Sequence, residues 1–359
     1  MINVTKSYLP PAEEYQAYLK KIWENSWLTN QGPLATELEQ KLKEVLQVKN
    51  LLFVSNGTIA LQLAIKALEL KGEIITTPFS YVATTTSIVW ENCTPVFADI
   101  DPQNFCIDPL QIEKLITKNT SAILATHVYG MPCAVEVIDA IAKKNDLKVI
   151  YDGAHAFGIR YKGQSIFEFG DISTLSFHAT KLFHTVEGGA IVVKNDETFK
   201  KLSLYRSFGH IGDDYFSIGI NGKNSEFHAA MGLCNLPRVK DFIQQRKAIA
   251  AIYVSELKPL PLSFPEIPPF IEYNYAYFPV IFRNEKELLI AKNDLADKKI
   301  NTRRYFYPSL NKLPYIKSNC SCPVSEDISK RVLCLPFYQQ LTNEEAILIC
   351  SIIKKSLQA

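Results

Sequence analysis

The sequence predicts an α/β protein: a mainly parallel sheet covered by helices forms a large domain over residues 1–236, and a smaller α/β domain follows over 237–359. Three observations predict it. Short apolar runs alternate with helix-length stretches, and parallel strands need such helices as crossovers with both sheet faces buried. Residues suited to chemistry (Asn56, Gly57, Pro78, Tyr81, His127, Tyr129, Asp152, His155 and Lys181) follow the ends of those runs, where open α/β sheets collect ligands. After Pro237 the texture changes: one long helical stretch leads into prolines at 259, 261, 265, 268 and 269, and then a new strand and helix pattern begins.

In chain order, PAEEYQAYLKKIWE (11–24) has apolar residues at helical spacing, and SWLTNQGP (26–33) breaks it with Asn, Gly and Pro. A second helix, LATELEQKLKEVLQV, precedes a buried strand, Leu51 to Val54. Ser55-Asn56-Gly57-Thr58 then opens an apolar helix. Free N–H groups at such a start attract an anion, most simply a phosphate, although an ordinary capped helix would carry the same residues. EIITTP, a helix from Tyr81 to Trp90, TPVFADID, a helix from Pro109 to Ile116, SAILATHVYG, a helix from Ala134 to Lys144, and KVIYDGAHAFG continue the alternation. Ile172 to Phe177 and Ala190 to Val193 read as two strands with Lys181 on the turn between them. In the second domain the pattern predicts a helix over Val239 to Leu257, a strand over Tyr275 to Phe282, a helix over Glu285 to Lys299, a strand over Asn301 to Tyr307 and a helix over Asn343 to Leu357.

Composition excludes several classes. The formal net charge is +2, from 39 basic and 37 acidic residues that are well mixed, so no basic face is offered to nucleic acid or anionic lipid. No run approaches the roughly 18 apolar residues of a membrane span, and the start of the chain lacks a signal pattern, so a cytoplasmic protein is expected. The eight cysteines are scattered, and Cys320 and Cys322 are spaced for neither a CxxC redox motif nor a zinc knuckle. The six histidines show no HExxH or other ligand spacing, and no metal is expected. His178 and His184 read as pocket-lining or core residues, and Glu187 either braces the turn or touches a ligand.

Lys181 carries the chemical argument. A buried ammonium loses hydration, which lowers its pKa and frees the amine as a nucleophile for carbonyls. Asp152, at the end of its strand, would be costly to bury unpaired, and a pyridinium nitrogen would pair with it. A lysine at one end and a carboxylate at the other is how proteins hold pyridoxal phosphate.

SNGTIAL (55–61), TPFSYVATTTSI (77–88), PVFADIDP (95–102), HVYGMPC (127–133), DGAHAFG (152–158), SFHATKLFHTVEGGA (176–190), RSFGH (206–210) and GINGKNSEFHAAMG (219–232) resemble, in order, the motifs of the DegT/DnrJ/EryC1/StrS family. GPLATELEQ near the start and LPFYQQLTNEEA near the end extend the resemblance over nearly the whole chain. It implies the aspartate-aminotransferase-like fold (fold type I) and pyridoxal-phosphate-dependent transamination of a nucleotide-linked keto-sugar. By resemblance, Lys181 carries the cofactor and moves protons, Asp152 binds the ring nitrogen, His155 lies near the ring hydroxyl and Tyr81 sits over the ring. Gly57, Thr58 and Ser176 hold the phosphate, with Asn221 reaching in from the second subunit of a homodimer. L-Glutamate is the implied amino donor, inherited from the resemblance and not read from residues, since no arginine pair announces a dicarboxylate site. The motif variants look nearest to members that aminate carbon 4 of dTDP-4-dehydro-6-deoxyglucose for bacterial surface polysaccharide (O-antigen). Carbon 3 keto-sugars, UDP-linked 4-keto sugars and a regulatory role without turnover are the alternatives. Thr29, Asn30, Lys223 and Tyr307, within 27–33, 208–224 and 303–307, are the candidate substrate contacts.

Overall fold

The computed structural model describes residues 1–316 and 320–358. Its centre is a seven-stranded sheet in the order Leu51–Val54, Gly189–Val193, Ile172–Ser176, Lys148–Asp152, Thr120–Thr126, Glu73–Thr76, Thr94–Phe97. Six strands run one way; Gly189–Val193 is antiparallel to both its neighbours. The exception follows from connectivity. The loop from Phe177 to Gly188 closes on itself, with Phe177 N–H donating to Gly188 O (2.7 Å) and Thr185 N–H to Phe177 O (2.9 Å), and so short a return admits only an antiparallel partner. Lys181 lies in that loop, as the flanking strand-like residues predict.

The strand residues are apolar because both faces are covered. Alternation sends Leu51 and Phe53 to one side and Leu52 and Val54 to the other, each into a separate buried cluster. Helix Gly57–Ala67 covers one side and helix Pro33–Leu46 the other. Two buried charged groups tie these layers to the sheet. Arg206, 1% exposed, donates to the Glu39 carboxylate and to Phe53 O (2.8 Å). Glu226, also 1% exposed, caps helix Pro33–Leu46 by accepting from Leu34 N–H (2.7 Å) and Ala35 N–H (2.9 Å). A carboxylate there answers the positive end of the helix dipole. A Cβ on Gly32 would lie 2.6 Å from that carboxyl carbon, so the glycine of SWLTNQGP lets the cap approach.

In the C-terminal part, strands Pro279–Ile281 and Val332–Cys334 pair antiparallel beside helices Val239–Leu257, Glu285–Asp297 and Asn343–Ser356. They share a second core that includes Tyr253, Leu257, Phe282, Leu288, Leu333 and Ile349. Helix Val239–Leu257 starts in the large core with Val239 and Phe242 and ends in the small one with Ile249, Tyr253 and Leu257. It thus contributes to both cores, and we propose that the two domains divide just before it, between 236 and 237.

Two strand expectations are corrected. Asn301–Tyr307 is not a strand: Arg303 makes a single bridge with Cys334, and the chain then turns so that Tyr305 and Phe306 reach the cavity described below. Tyr275–Phe282 shrinks to Pro279–Ile281, because the preceding residues bond elsewhere. The buried Asn274 amide donates to His155 O (2.8 Å) and Phe157 O (3.0 Å), and Tyr277 turns toward Lys181. In both places aromatic burial and side-chain hydrogen bonds outweigh continuation of a ladder. Helices Asp196–Tyr205, Glu226–Asn235 and Pro323–Arg331 add to those that the spacing predicts.

Candidate active site

The carboxyl ends of the strands open into a cavity of about 550 Å³. Gly57, Thr58, Tyr81, Asp152, His155, Ser176 and Lys181 all line it, brought from sequence positions more than 120 residues apart by the common direction of their strands. Asp152 is the last residue of its strand and is buried. Its carboxylate accepts from Thr84 Oγ1 (2.7 Å) and Ala154 N–H (3.0 Å). Because the Thr84 hydroxyl spends its proton on Asp152, Ser80 must donate to Thr84 (2.7 Å) and Thr126 to Ser80 (3.1 Å). This relay fixes the carboxylate without neutralising it. Burial raises the Asp152 pKa, opposed by the Thr84 and Ala154 hydrogen bonds and by the charge of Lys181.

Lys181 Nζ donates to Tyr277 Oη at 3.2 Å and lies 5.9 Å from the centre of that ring. Among the described residues no carboxylate stands within ion-pair distance of it. Burial lowers the Lys181 pKa, with the Asp152 charge pulling the other way. His155 is held flat against Phe306, ring centres 5.7 Å apart and planes 7° apart. Its Nδ1 accepts from Tyr129 N–H at 3.2 Å, so the proton of the neutral ring sits on Nε2. Burial, and then the Lys181 charge, holds its pKa well below the usual histidine range. It is therefore neutral at pH 7.

The third corner is the start of helix Gly57–Ala67. Asn56 caps it, its Oδ1 accepting from Ile59 N–H (2.9 Å), and Ser176 ends the neighbouring strand. A Cβ on Gly57 would sit 3.0 Å from Ser176 Cβ, so the glycine keeps the helix end close against the strand end. Gly57→Ala is expected to push the two apart, costing about 1–3 kcal/mol of stability and weakening cofactor retention roughly tenfold. Dialysis against buffer without cofactor, followed by absorbance, measures this; unchanged retention refutes the phosphate role of this corner.

Thr29, Asn30, Asn221, Lys223 and Tyr307 lie off the cavity. Asn221 and Lys223 form a surface pair, Lys223 Nζ donating to Asn221 Oδ1 at 2.8 Å with the ammonium 4.4 Å above the Phe208 ring. Thr29 and Asn30 are exposed. Tyr307 is covered by the Arg304 guanidinium, 3.6 Å above its ring, and Tyr305 and Phe306 occupy the cavity wall instead. His178 lines the cavity with its Nε2 3.6 Å from Glu187 Oε1, and Glu187 lines it too. His184 is a core residue bonded to Tyr8 O (2.7 Å), as is His127, stacked on Tyr151 at 4.7 Å with burial holding its pKa down to about 3. Sequence reasoning missed Tyr277 and, within the stretch 303–307 that it marks, singled out Tyr307 where Tyr305 and Phe306 form the wall; the aromatic density of NYAYF is the signal that could have found Tyr277.

An amine and a buried carboxylate face one cavity, neither has an ionic partner among the described residues, and a helix N-terminus suited to phosphate borders the same space. The residues present fit pyridoxal phosphate, which needs an amine, a carboxylate and a phosphate cradle. Fold and site together define a pyridoxal-phosphate-dependent aminotransferase. The chain belongs to the DegT/DnrJ/EryC1/StrS aminotransferase family, whose model matches residues 11–354. It is 42% identical over 361 residues to a dTDP-4-amino-4,6-dideoxy-D-glucose transaminase of Shigella dysenteriae, covering 99% of this chain and 98% of that one. A transaminase of the same name from Escherichia coli is 40% identical, with 98% of each chain covered. Among solved structures, DesI in the presence of its TDP-sugar product superposes with a TM-score of 0.94 at 29% identity, covering 99% of this chain and 92% of that one. No helix among the described residues is long and apolar enough to cross a membrane, and none of their His, Cys, Asp and Glu side chains form a group of three or more able to hold a metal.

Proposed function

We propose that this enzyme transfers the amino group of L-glutamate to carbon 4 of dTDP-4-dehydro-6-deoxyglucose, giving dTDP-4-amino-4,6-dideoxyglucose for surface polysaccharide. The observation that carries the chemistry is that the half-buried Lys181 and the buried Asp152 line one cavity. The sugar is supported by the names of the two transaminases with 42% and 40% identity over nearly the full chain.

When bound, pyridoxal phosphate supplies an electron-withdrawing ring that makes the Cα proton of the amino donor removable. Asp152, held by Thr84 and Ala154, keeps the ring nitrogen protonated. Gly57, Thr58 and Ser176 anchor the phosphate at the helix N-terminus. Lys181 would hold the cofactor through Nζ, and its amine, once free, would serve as the base that takes the donor's Cα proton and the acid that returns it. Tyr277 Oη lies where it holds that amine during the transfer. Neutral His155 donates from Nε2 without adding charge, and Tyr81 covers the open side.

We also propose a homodimer with shared sites. The hairpin that carries Asn221 exposes Ile211 (67%), Tyr215 (79%) and Ile218 (83%), an apolar surface that a second copy would bury. Asn221 and Lys223 stand at its base and would reach the neighbour's phosphate corner, while Thr29 and Asn30 would meet the sugar nucleotide. Lys181→Ala and Asn221→Ala, each inactive or nearly so alone, are expected to regain activity when mixed after dissociation and reassociation. One site of each mixed dimer is then wholly intact. No recovery would place Asn221 in its own chain's site or in none.

The substrate is tested by loading the enzyme with glutamate, removing the excess and adding single sugar nucleotides. Return of the visible cofactor band with dTDP-4-dehydro-6-deoxyglucose, and not with a 3-keto or UDP-linked 4-keto sugar, supports the assignment. The opposite preference replaces it.

A further inference from the structure

Behind the cavity wall lies a cation that the chemistry above does not use. Arg246, on helix Val239–Leu257, is 3% exposed, and burial lowers its pKa to about 10, so it is still charged at pH 7. Its partners among the described residues are neutral. The guanidinium donates to Ala276 O (3.0 Å), Tyr275 O (3.4 Å) and Gln339 Oε1 (3.2 Å) and packs over the Phe337 ring at 5.8 Å, while Nε finds no acceptor. Burying a cation without a carboxylate is costly, so its place in the fold calls for a reason.

The two carbonyls supply one. They belong to the residues just before Tyr277, and a side chain whose preceding peptides are fixed is aimed by them. From the opposite side the same segment is held by Asn274, whose amide donates to His155 O (2.8 Å) and Phe157 O (3.0 Å) and whose Oδ1 accepts from Ala276 N–H (3.1 Å). Tyr277, held between helix and sheet end, meets the His155 ring edge to face with centres 4.8 Å apart and presents Oη to Lys181. Burial raises the Tyr277 pKa, opposed in part by the Arg246 charge, and the phenol keeps its proton at pH 7. A neutral phenol accepts from the lysine as ammonium and donates to it as free amine, so one placement serves both states. Among the described residues no other side chain hydrogen-bonds Lys181 Nζ, so the amine's orientation depends on where this ring stands.

Resting on the transaminase reading above, we propose that Arg246 is a positioning residue for the reaction: by holding the carbonyls of Tyr275 and Ala276 it keeps Tyr277 Oη on the amine of Lys181, without lining the cavity itself. A guanidinium suits the task, because its planar fork meets several acceptors in fixed directions where an ammonium is a point charge. Crystal structures of the apoproteins give a first readout that does not depend on turnover. In Arg246→Gln, Tyr277 Oη should move beyond about 3.5 Å from Lys181 Nζ, outside hydrogen-bond range. The second readout is the first-order rate of glutamate-driven loss of the visible band, per loaded site of the holoenzyme. Tyr277→Phe and Arg246→Gln should each lower it roughly tenfold, the loss of a hydrogen bond to a charged group, with the half-saturating glutamate concentration unchanged. Arg246→Lys should recover part of the rate. Added to Tyr277→Phe, Arg246→Gln should slow the step no further, since both remove the same contact. Should Arg246→Gln fail to fold, Arg246→Lys takes its place in both measurements, with a smaller displacement and a smaller slowing. An unmoved Tyr277, or a normal rate in variants that only melt at lower temperature, overturns the proposal and makes Arg246 a brace of the fold. Effects that multiply in the double variant also overturn it, because the arginine then acts by another route. If glutamate fails to bleach even the parent, the transaminase reading itself fails, and this inference with it.

Discussion

Lys181→Ala and Lys181→Arg proteins should fold normally and lose transamination by on the order of 10⁴-fold. Lys181 sits in the loop between strands Ile172–Ser176 and Gly189–Val193, held by Lys181 N–H donating to His178 O (2.9 Å) and by the loop's own closure, none of which uses the side chain. The fold therefore does not depend on the amine, and the chemistry does. Circular dichroism and melting curves check the first half; glutamate-driven bleaching checks the second. Substantial turnover by either variant would show that another group moves the proton. Because burial lowers the lysine pKa, the free amine should also capture pyridoxal phosphate at pH values where an ordinary lysine is almost wholly protonated. The capture rate should rise with pH and level off below the usual lysine range. A midpoint at the ordinary lysine value would mean that the apo cavity is wet.

Asp152→Asn should retain the cofactor and lose activity by on the order of 10²–10³-fold, the usual cost of removing one preorganised electrostatic partner. An amide is nearly the same shape: its oxygen can keep the Ala154 N–H bond while its NH2 donates to Thr84, whose hydroxyl is then free to donate to Ser80 instead, but it carries no charge to hold the ring nitrogen protonated. A second readout separates this from structural damage. The Asp152 charge raises the Lys181 pKa, so removing it should move the pH midpoint of cofactor capture to lower pH. The sign is fixed: with no neighbouring negative charge the ammonium form is less favoured, and the amine is free earlier in a rising titration. A midpoint that stays put, or moves up, would show that the two groups do not sense each other across the cavity.

Much of this arrangement was legible in the chain. The alternation of buried strands and helices, the Asn56-Gly57 helix start, the carboxylate closing the Lys148–Asp152 strand and the lysine between two strands follow from local rules, because parallel strands place consecutive ends on one edge. The wall opposite was not. Tyr277 and the Tyr305-Phe306 pair come from segments whose period suggested strands, and only the packing of the C-terminal part against the sheet ends turns them into the cavity. Glu226 capping a helix 192 residues earlier, and Arg206 reaching Glu39 across 167, are likewise invisible to spacing.

The sequence by itself determined the class of fold, the positions of the amine, the carboxylate and the Asn56-Gly57 helix start, and the family to which they belong, since each rests on residues near one another in the chain. Tertiary structure decided which arginine of the Arg303-Arg304 pair meets the cavity, and which aromatic rings close it. Those outcomes depend on where a neighbouring strand happens to pin the backbone: Cys334 holds Arg303 at the site, and Glu285 draws Arg304 away.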